Sequence, residues 1–232
     1  MTQVIVQETA PVTLIGGGDV APSDLKEALL IAPVLVAADG GANTAVALGY
    51  EPRAVIGDFD SVSAETRAAL PDSILHLVAE QETTDFDKAL RAVAAPLVLA
   101  VGFLGGRVDH QLAALHVLVQ PHDSPCILIG AQEVVVHITA PLAVTLTPGD
   151  VVSLFPLAPV TGRSEGLEWP IDGLTLSPFQ RIGTSNRAIA EEVRIGVDGP
   201  GLLAILPRRS LGAVIQAMQA DRSQSWAAPQ VR

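Results

Sequence analysis

From Val12 to about Gly130, short runs of Val, Ile and Leu alternate with stretches whose apolar residues recur at helical spacing. Runs without a polar face belong to strands covered on both sides, and their alternation with helices is the rhythm of a parallel sheet. The runs predict strands at Val12–Ile15, Val34–Ala37, Ala54–Ile56, Leu75–Val78, Leu97–Val101 and Cys126–Ile129. Between them a helix is expected from a Ser23 cap to about Leu30. A second follows a Thr84 cap, with Asp87 as its capping-box partner and Phe86, Leu90 and Val93 facing inward. A third is expected from His110 to Val119, with Leu112, Leu115 and Val119 inward.

After Gly130 the pattern changes to β runs punctuated by Pro-Gly-Asp and Asp-Gly-Pro-Gly turns. Strands are predicted at Glu133–Thr139, Ala143–Leu146, Val151–Phe155, Leu174–Leu176, Ala190–Val197 and Leu202–Leu206. The expected organisation is an α/β domain with a mostly parallel sheet over residues 1–130, an all-β sandwich over 131–210, and a C-terminal tail over 211–232. A short helix is expected from Ser210 to Ala220, with Asp221–Arg232 loose beyond it.

Of the 232 residues 49% are hydrophobic, enough for a sizeable core, and the formal net charge is -11. So acidic a chain is a poor partner for nucleic acid or an anionic membrane, and it would need a bridging cation to hold an anionic substrate. Cys126 is the single cysteine, which excludes an internal disulfide; its place in an apolar run marks it as core. No run approaches the roughly 18 apolar residues of a membrane span, and the N-terminus lacks the look of a leader. A reducing cytoplasm is the expected compartment.

Four polar clusters end the apolar runs of the first half: Asp39-Gly40-Gly41-Ala42-Asn43, Gly57-Asp58-Phe59-Asp60-Ser61, Thr84-Asp85-Phe86-Asp87-Lys88 and Gly105-Gly106-Arg107-Val108-Asp109-His110. Loops after the carboxyl ends of parallel strands are where open α/β sheets bind ligands. Carboxylates gathered there repel one another unless a cation sits among them, and hard oxygen ligands suit a divalent ion. Asp58 and Asp60 flank one residue and can share such an ion. Asp85 opens a helix, where the dipole favours negative charge; Asp87 reads as a structural residue of the helix terminus, and Lys88 as a solvated i,i+3 partner of Asp85 more than as a phosphate ligand. Arg107 after two glycines suits a phosphate through bidentate hydrogen bonds; Asp109 can cap the next helix or act as a base.

A competing motif is Gly16-Gly17-Gly18-Asp19-Val20-Ala21, which matches a dinucleotide fingerprint with Asp39 about 20 residues on. Pro22 and Ser23 put the helix start after that motif rather than inside it, and the motif explains none of the later clusters. No P-loop occurs.

Together these segments resemble thiamine pyrophosphokinase. The resemblance runs through 39–43, 57–61, Gln81 with Thr84-Asp85 and Lys88, and 105–110. It continues in Ser153-Leu-Phe-Pro-Leu157, Gly166-Leu-Glu-Trp-Pro170, Gly183-Thr-Ser-Asn186 and Gly201-Leu-Leu-Ala-Ile205. It implies transfer of diphosphate from ATP to the hydroxyethyl oxygen of thiamine, with Mg²⁺ required, by a homodimer whose sites lie at the subunit interface. On the matching positions it implies metal and phosphate binding by Asp58, Asp60 and Asp85, nucleotide contacts from Gln81, Thr84, Lys88 and Arg107, and an acidic pocket completed by Asp39 and Asp109. Trp169, Ser185 and Asn186 would receive thiamine. Glu80 stands where the family usually has aspartate, and Arg187-Ala188 replace a common acidic–apolar pair. The alternatives are a diphosphokinase for another heterocyclic alcohol, such as a pterin, and a nucleotide-binding regulatory protein.

Overall fold

The computed structural model describes residues 4–219, which divide into two compact units after Ala131. In chain order the first unit contains β1 (Val6–Gln7), β2 (Val12–Ile15), α1 (Pro22–Ile31), β3 (Val34–Ala38), α2 (Gly41–Ala47), β4 (Ala54–Gly57), α3 (Ala64–Ala69) and β5 (Leu75–Leu77). These are followed by α4 (Asp85–Arg91), β6 (Val93–Ala94), β7 (Val98–Val101), α5 (Val108–Leu118) and β8 (Cys126–Ile129). Six of the strands make a parallel sheet in the order β8-β7-β2-β3-β4-β5; β1 pairs with β6 separately. Strands β2, β4, β7 and β8 are buried at every position, as expected of a sheet with both faces covered. All six sheet strands coincide with the runs read from sequence to within one residue at each end.

Two helices were missed, α2 and α3. The first is built from Gly, Ala, Asn, Thr and Val, and the second spans only Ala64–Ala69, so neither presents a long apolar stripe. Two helix starts also differ from expectation. Helix α1 begins at Pro22 with Ala21 as its cap residue, so Ser23 lies within the first turn; Pro at the helix start needs no N–H donor and sets φ there. Helix α5 begins at Val108, and the face it buries carries Ala114, Val117 and Leu118. Leu112 is 61% exposed, and Leu115 and Val119 are only half-buried, so the inward face lies one position round from the one expected.

The second unit contains β9 (Glu133–His137), β10 (Leu142–Thr145), β11 (Val151–Pro156), β12 (Val160–Glu165), β13 (Thr175–Leu176), β14 (Gly183–Arg187), β15 (Glu192–Val197), β16 (Leu202–Pro207) and α6 (Leu211–Gln219). Its strands follow two antiparallel orders, β14-β11-β16-β9 and β10-β15-β12-β13. Alternation along β10 buries Leu142 and Val144, and along β15 it buries Val193 and Ile195, so their sheet keeps one face inward. Strands β12 and β14 were not anticipated. They read Val-Thr-Gly-Arg-Ser-Glu and Gly-Thr-Ser-Asn-Arg, mostly polar strings held by pairing with apolar neighbours more than by their own propensity. Helix α6 packs on β10 through a face with buried Leu211, Val214 and Ile215. That segment is therefore part of the fold and not of a tail; Asp221–Arg232 lie outside the described residues.

Candidate active site

Asp39 stands at the end of β3 with φ of 42° and is buried. At the end of the neighbouring strand β4, Gly57 passes so close that a Cβ there would lie 2.7 Å from the Asp39 Cβ, so only glycine fits. The Asp39 carboxylate turns into the loop beyond Gly57. One oxygen accepts the Phe59 N–H at 2.7 Å and the other the Ser61 N–H at 3.1 Å. Phe59 itself takes a left-handed φ of 65°, and its ring carries the Arg67 guanidinium 5.4 Å above its centre. This kinked, doubly tethered loop turns Asp58 and Asp60 towards Asp39. One oxygen from each of the three lies within 4.8 Å of the others.

Asn43, from the first turn of α2, clasps the far side of the same loop. Its amide donates to the Ser61 carbonyl at 2.8 Å and accepts the Ser63 N–H at 2.9 Å. Sequence reasoning quoted Asn43 within a motif but gave it no task, because its partners lie 18 and 20 residues away.

A second shared group links β4 to α4. Lys88 places its Nζ 3.2 Å from Asp58 Oδ2 and 3.1 Å from Asp85 Oδ1, and Gln81 donates to the same Asp58 oxygen at 2.7 Å. Burial is the largest influence on both acids and pushes both upward. For Asp58 the bonds from Gln81, the Asp60 N–H and Lys88 win, and its pKa falls below the usual carboxylate value. For Asp85 burial wins over Lys88, with Asp39 and Asp58 adding repulsion, and its pKa rises. Two acids sharing one ammonium are thus driven apart.

Thr84 caps α4 by accepting the Asp87 N–H at 3.3 Å, so its hydroxyl is committed to the helix. The Asp87 carboxylate does not complete a capping box. It is buried, with Arg91 2.8 Å from one oxygen and His122 Nε2 3.8 Å from the other. The loop after β7 is tied to α4 by the Phe86–Phe103 ring contact, at 4.3 Å between centroids. Beyond it Arg107 closes its fork on Asp109, Nε to Oδ1 at 3.1 Å and a terminal nitrogen to Oδ2 at 2.6 Å, with both side chains about two-thirds exposed. That bond, more than anything else, holds the Asp109 pKa at about 2 while Arg107 stays paired with it.

The fingerprint glycines have a structural explanation. A Cβ at Gly16 or Gly18 would meet the Gly102 carbonyl at 2.7 Å, so both are small because the loop after β2 packs on the loop after β7. Asp39, with both oxygens already accepting backbone N–H groups, is not turned out as a ribose acceptor.

In the second unit, Asn186 is buried in β14 and brackets Trp169 from both sides of its backbone. Its amide accepts the Trp169 N–H at 3.1 Å and donates to the Trp169 carbonyl at 2.6 Å. The Trp169 residue is left 55% exposed. Ser185 adjoins it with φ of 60° and gives its N–H to Ser153 Oγ at 2.9 Å. The structure therefore brings Trp169, Ser185 and Asn186 together, although they come from segments up to 17 residues apart.

The donor set of Asp39, Asp58 and Asp60 is all hard oxygen, which fits Mg²⁺ or Mn²⁺ and not a thiophilic metal. Asp58 and Asp60 are the more available members, since Asp39 is spent on the loop.

Comparison with known proteins agrees with this partition. The thiamin pyrophosphokinase catalytic domain matches residues 25–129, and the thiamin pyrophosphokinase vitamin B1 binding domain matches residues 134–202. Thiamine pyrophosphokinase 1 of Arabidopsis thaliana is 25% identical over 224 residues, covering 80% of this chain and 82% of that protein. Thiamine pyrophosphokinase 3 of Oryza sativa subsp. japonica is 29% identical over 194 residues, 67% of this chain and 71% of its own. The fold is shared with thiamin pyrophosphokinase from Candida albicans at a TM-score of 0.72 and 17% identity, covering 87% and 92% of the two chains. Two matching domain models, in order and together spanning most of the chain, place it in the thiamin pyrophosphokinase family.

Proposed function

We infer that this chain transfers a diphosphate from ATP to the hydroxyethyl oxygen of thiamine, giving thiamine diphosphate and AMP. The observation that carries the reading is the joint presence of the gathered carboxylates Asp39, Asp58 and Asp60 within the segment that matches a catalytic domain, and the braced Trp169–Asn186 pair within the segment that matches a thiamin-binding domain.

The residues divide the work as follows. Asp58 and Asp60 would hold Mg²⁺, with Asp39 fixing the loop that aims them and Asp85 facing the same region across Lys88. The ion supplies charge neutralisation on the phosphates and a template for alignment when bound. Arg107 exchanges Asp109 for phosphate oxygens, because its fork matches either anion. Gln81 holds Asp58 and stands exposed beside it, in reach of a nucleotide. Alignment of a poor alcohol nucleophile with the β-phosphorus then carries much of the catalysis. The exposed Trp169 face suits a flat aminopyrimidine or a cationic thiazolium.

A homodimer is part of the proposal. The second unit exposes Phe179, Ile182 and Ile189 besides Trp169, apolar surface of the kind a partner covers. No helix among the described residues is long and apolar enough to cross a membrane, and a cytoplasmic location is part of the proposal.

The acceptor is tested by presenting ATP and Mg²⁺ with thiamine or with a hydroxymethylpterin and measuring AMP release. AMP formed with thiamine alone supports the reading. AMP formed only with the pterin would keep the acidic site and replace its substrate.

A further inference from the structure

We propose that Lys88 is a positioning residue of the acidic site rather than a ligand of ATP: its buried ammonium holds one oxygen of Asp58 and one of Asp85, so that both carboxylates stand in place before a cation or nucleotide arrives. The inference rests on the reading of that site as a cation and nucleotide site.

The first ground is accessibility. The Lys88 side chain is only 2% exposed, with Nζ at 3.2 Å from Asp58 and 3.1 Å from Asp85. A lysine that binds phosphate must show a donor to an anion arriving from solvent, and this one is closed off. The second ground is connectivity. Asp85 is one turn before Lys88 on α4, whereas Asp58 is 30 residues away beyond the end of β4. One ammonium thus cross-links the helix to the strand end whose loop carries Asp58 and Asp60.

The third ground is charge. Asp39, Asp58, Asp60 and Asp85 converge with Lys88 inserted between two of them, and a carboxylate group of that density without a counter-ion would push itself apart. Lys88 engages a single oxygen on each partner, Asp58 Oδ2 and Asp85 Oδ1; Asp58 Oδ1 accepts only the long Asp60 N–H bond, at 3.3 Å, and keeps a lone pair for a metal. Phe86, Ala89 and Leu90 of the same helix are buried and the Phe86 ring packs on Phe103, so α4 has little freedom to bring Lys88 out.

The test compares the chelator-treated full chain with Lys88→Met, Lys88→Arg, Asp85→Asn and the Lys88→Met/Asp85→Asn double variant. Lys88→Met should lower the metal-free Tm by about 5–10 °C, since one half of a buried ion pair is left alone. Added Mn²⁺ should raise that variant's Tm more than it raises the parent's. Asp85→Asn should lower the metal-free Tm when Lys88 is present and raise it when Lys88 is Met. In turnover, Lys88→Met should lose on the order of tenfold or more in kcat with the KM for ATP changed less than about threefold. Lys88→Arg should not rescue it, because the closed slot fits an ammonium. An unchanged metal-free Tm, with a rise confined to the KM for ATP and rescued by Arg, would overturn the proposal and make Lys88 a phosphate ligand. Should Lys88→Met give no soluble protein, the double variant decides: its recovery supports the proposal, and its failure contradicts it. The melting measurements need no turnover, so they stand apart from the identity of the acceptor.

Discussion

In the first unit the candidate residues are carboxylates whose oxygens are tied to backbone N–H groups, to Gln81 and to one buried ammonium; in the second the candidate is a ring left in solvent on a loop tied by one buried amide. Sixteen of the 25 acidic residues fall in the first unit, so like-charge repulsion is the force its site must manage. A site of that kind has to be built rigid before its ligand arrives, which is what Asp39, Asn43 and Lys88 do. An aromatic face has no such repulsion to hold off. It needs only a backbone that does not move, which Asn186 provides, and it can wait exposed.

If that contrast is right, the two regions respond differently to substitution. The largest effect is expected at Asp58→Asn and Asp60→Asn. Each should cut turnover by about 100-fold or more, beyond the loss typical of groups one shell further out, with the fold intact by circular dichroism. Near-parental rates in either folded variant at saturating Mg²⁺ would remove that residue from the cation site.

Trp169→Ala and Asn186→Ala sharpen the other side. Loss of the ring should weaken thiamine binding by about 1–3 kcal/mol, seen as a higher KM for thiamine, and leave stability within about 0.5 kcal/mol. Loss of the Asn186 amide leaves the Trp169 N–H and carbonyl without their buried partner and should cost about 1–3 kcal/mol of stability as well. Equal stability losses in the two variants would show that the ring is core after all.

A smaller effect is expected from Arg107→Lys, which keeps charge but loses the fork that Asp109 occupies at rest. The KM for ATP should rise several-fold, roughly 1 kcal/mol in binding, while that for thiamine stays put. A change confined to thiamine would move Arg107 to the other substrate.

Much of this was legible along the chain, and the exceptions have a common cause. The strands of the parallel sheet showed themselves as short, mostly apolar runs, most clearly β2, β4, β7 and β8, where burial on both faces leaves little room for polar positions; β5, Leu-His-Leu, is the open exception. The acidic residues were legible too, since carboxylates at strand ends have few structural uses in such numbers. What the chain did not display were relationships at a distance: Asn43 reaching Ser61 and Ser63, Lys88 buried between Asp58 and Asp85, and Asn186 bracketing Trp169. Strand β14 is the sharpest case. Gly-Thr-Ser-Asn-Arg has the composition of a turn and becomes a strand only by pairing with β11, and that pairing is what buries Asn186.

The smallest expected effect is on the pH dependence of stability, and it is shared by one histidine in each unit. Burial pushes the pKa of His122 in the first unit and of His137 in the second below the ordinary histidine value. The folded chain therefore binds fewer protons than the unfolded one, and stability is lost as pH falls from about 6.5 towards each folded pKa. His122→Gln and His137→Gln should each make the acid limb of a Tm-against-pH curve shallower. An unchanged limb in both would show that neither histidine is held neutral.

The most direct measurement follows where each phosphorus of ATP goes, because a site that gathers carboxylates and a cation around a triphosphate could also pass on a single phosphate. With thiamine, Mg²⁺ and ATP labelled at either the α- or the γ-phosphorus, the account predicts that the α label appears in AMP and the γ label in thiamine diphosphate. Recovery of the α label in ADP, with the γ label in a monophosphate ester, would contradict it.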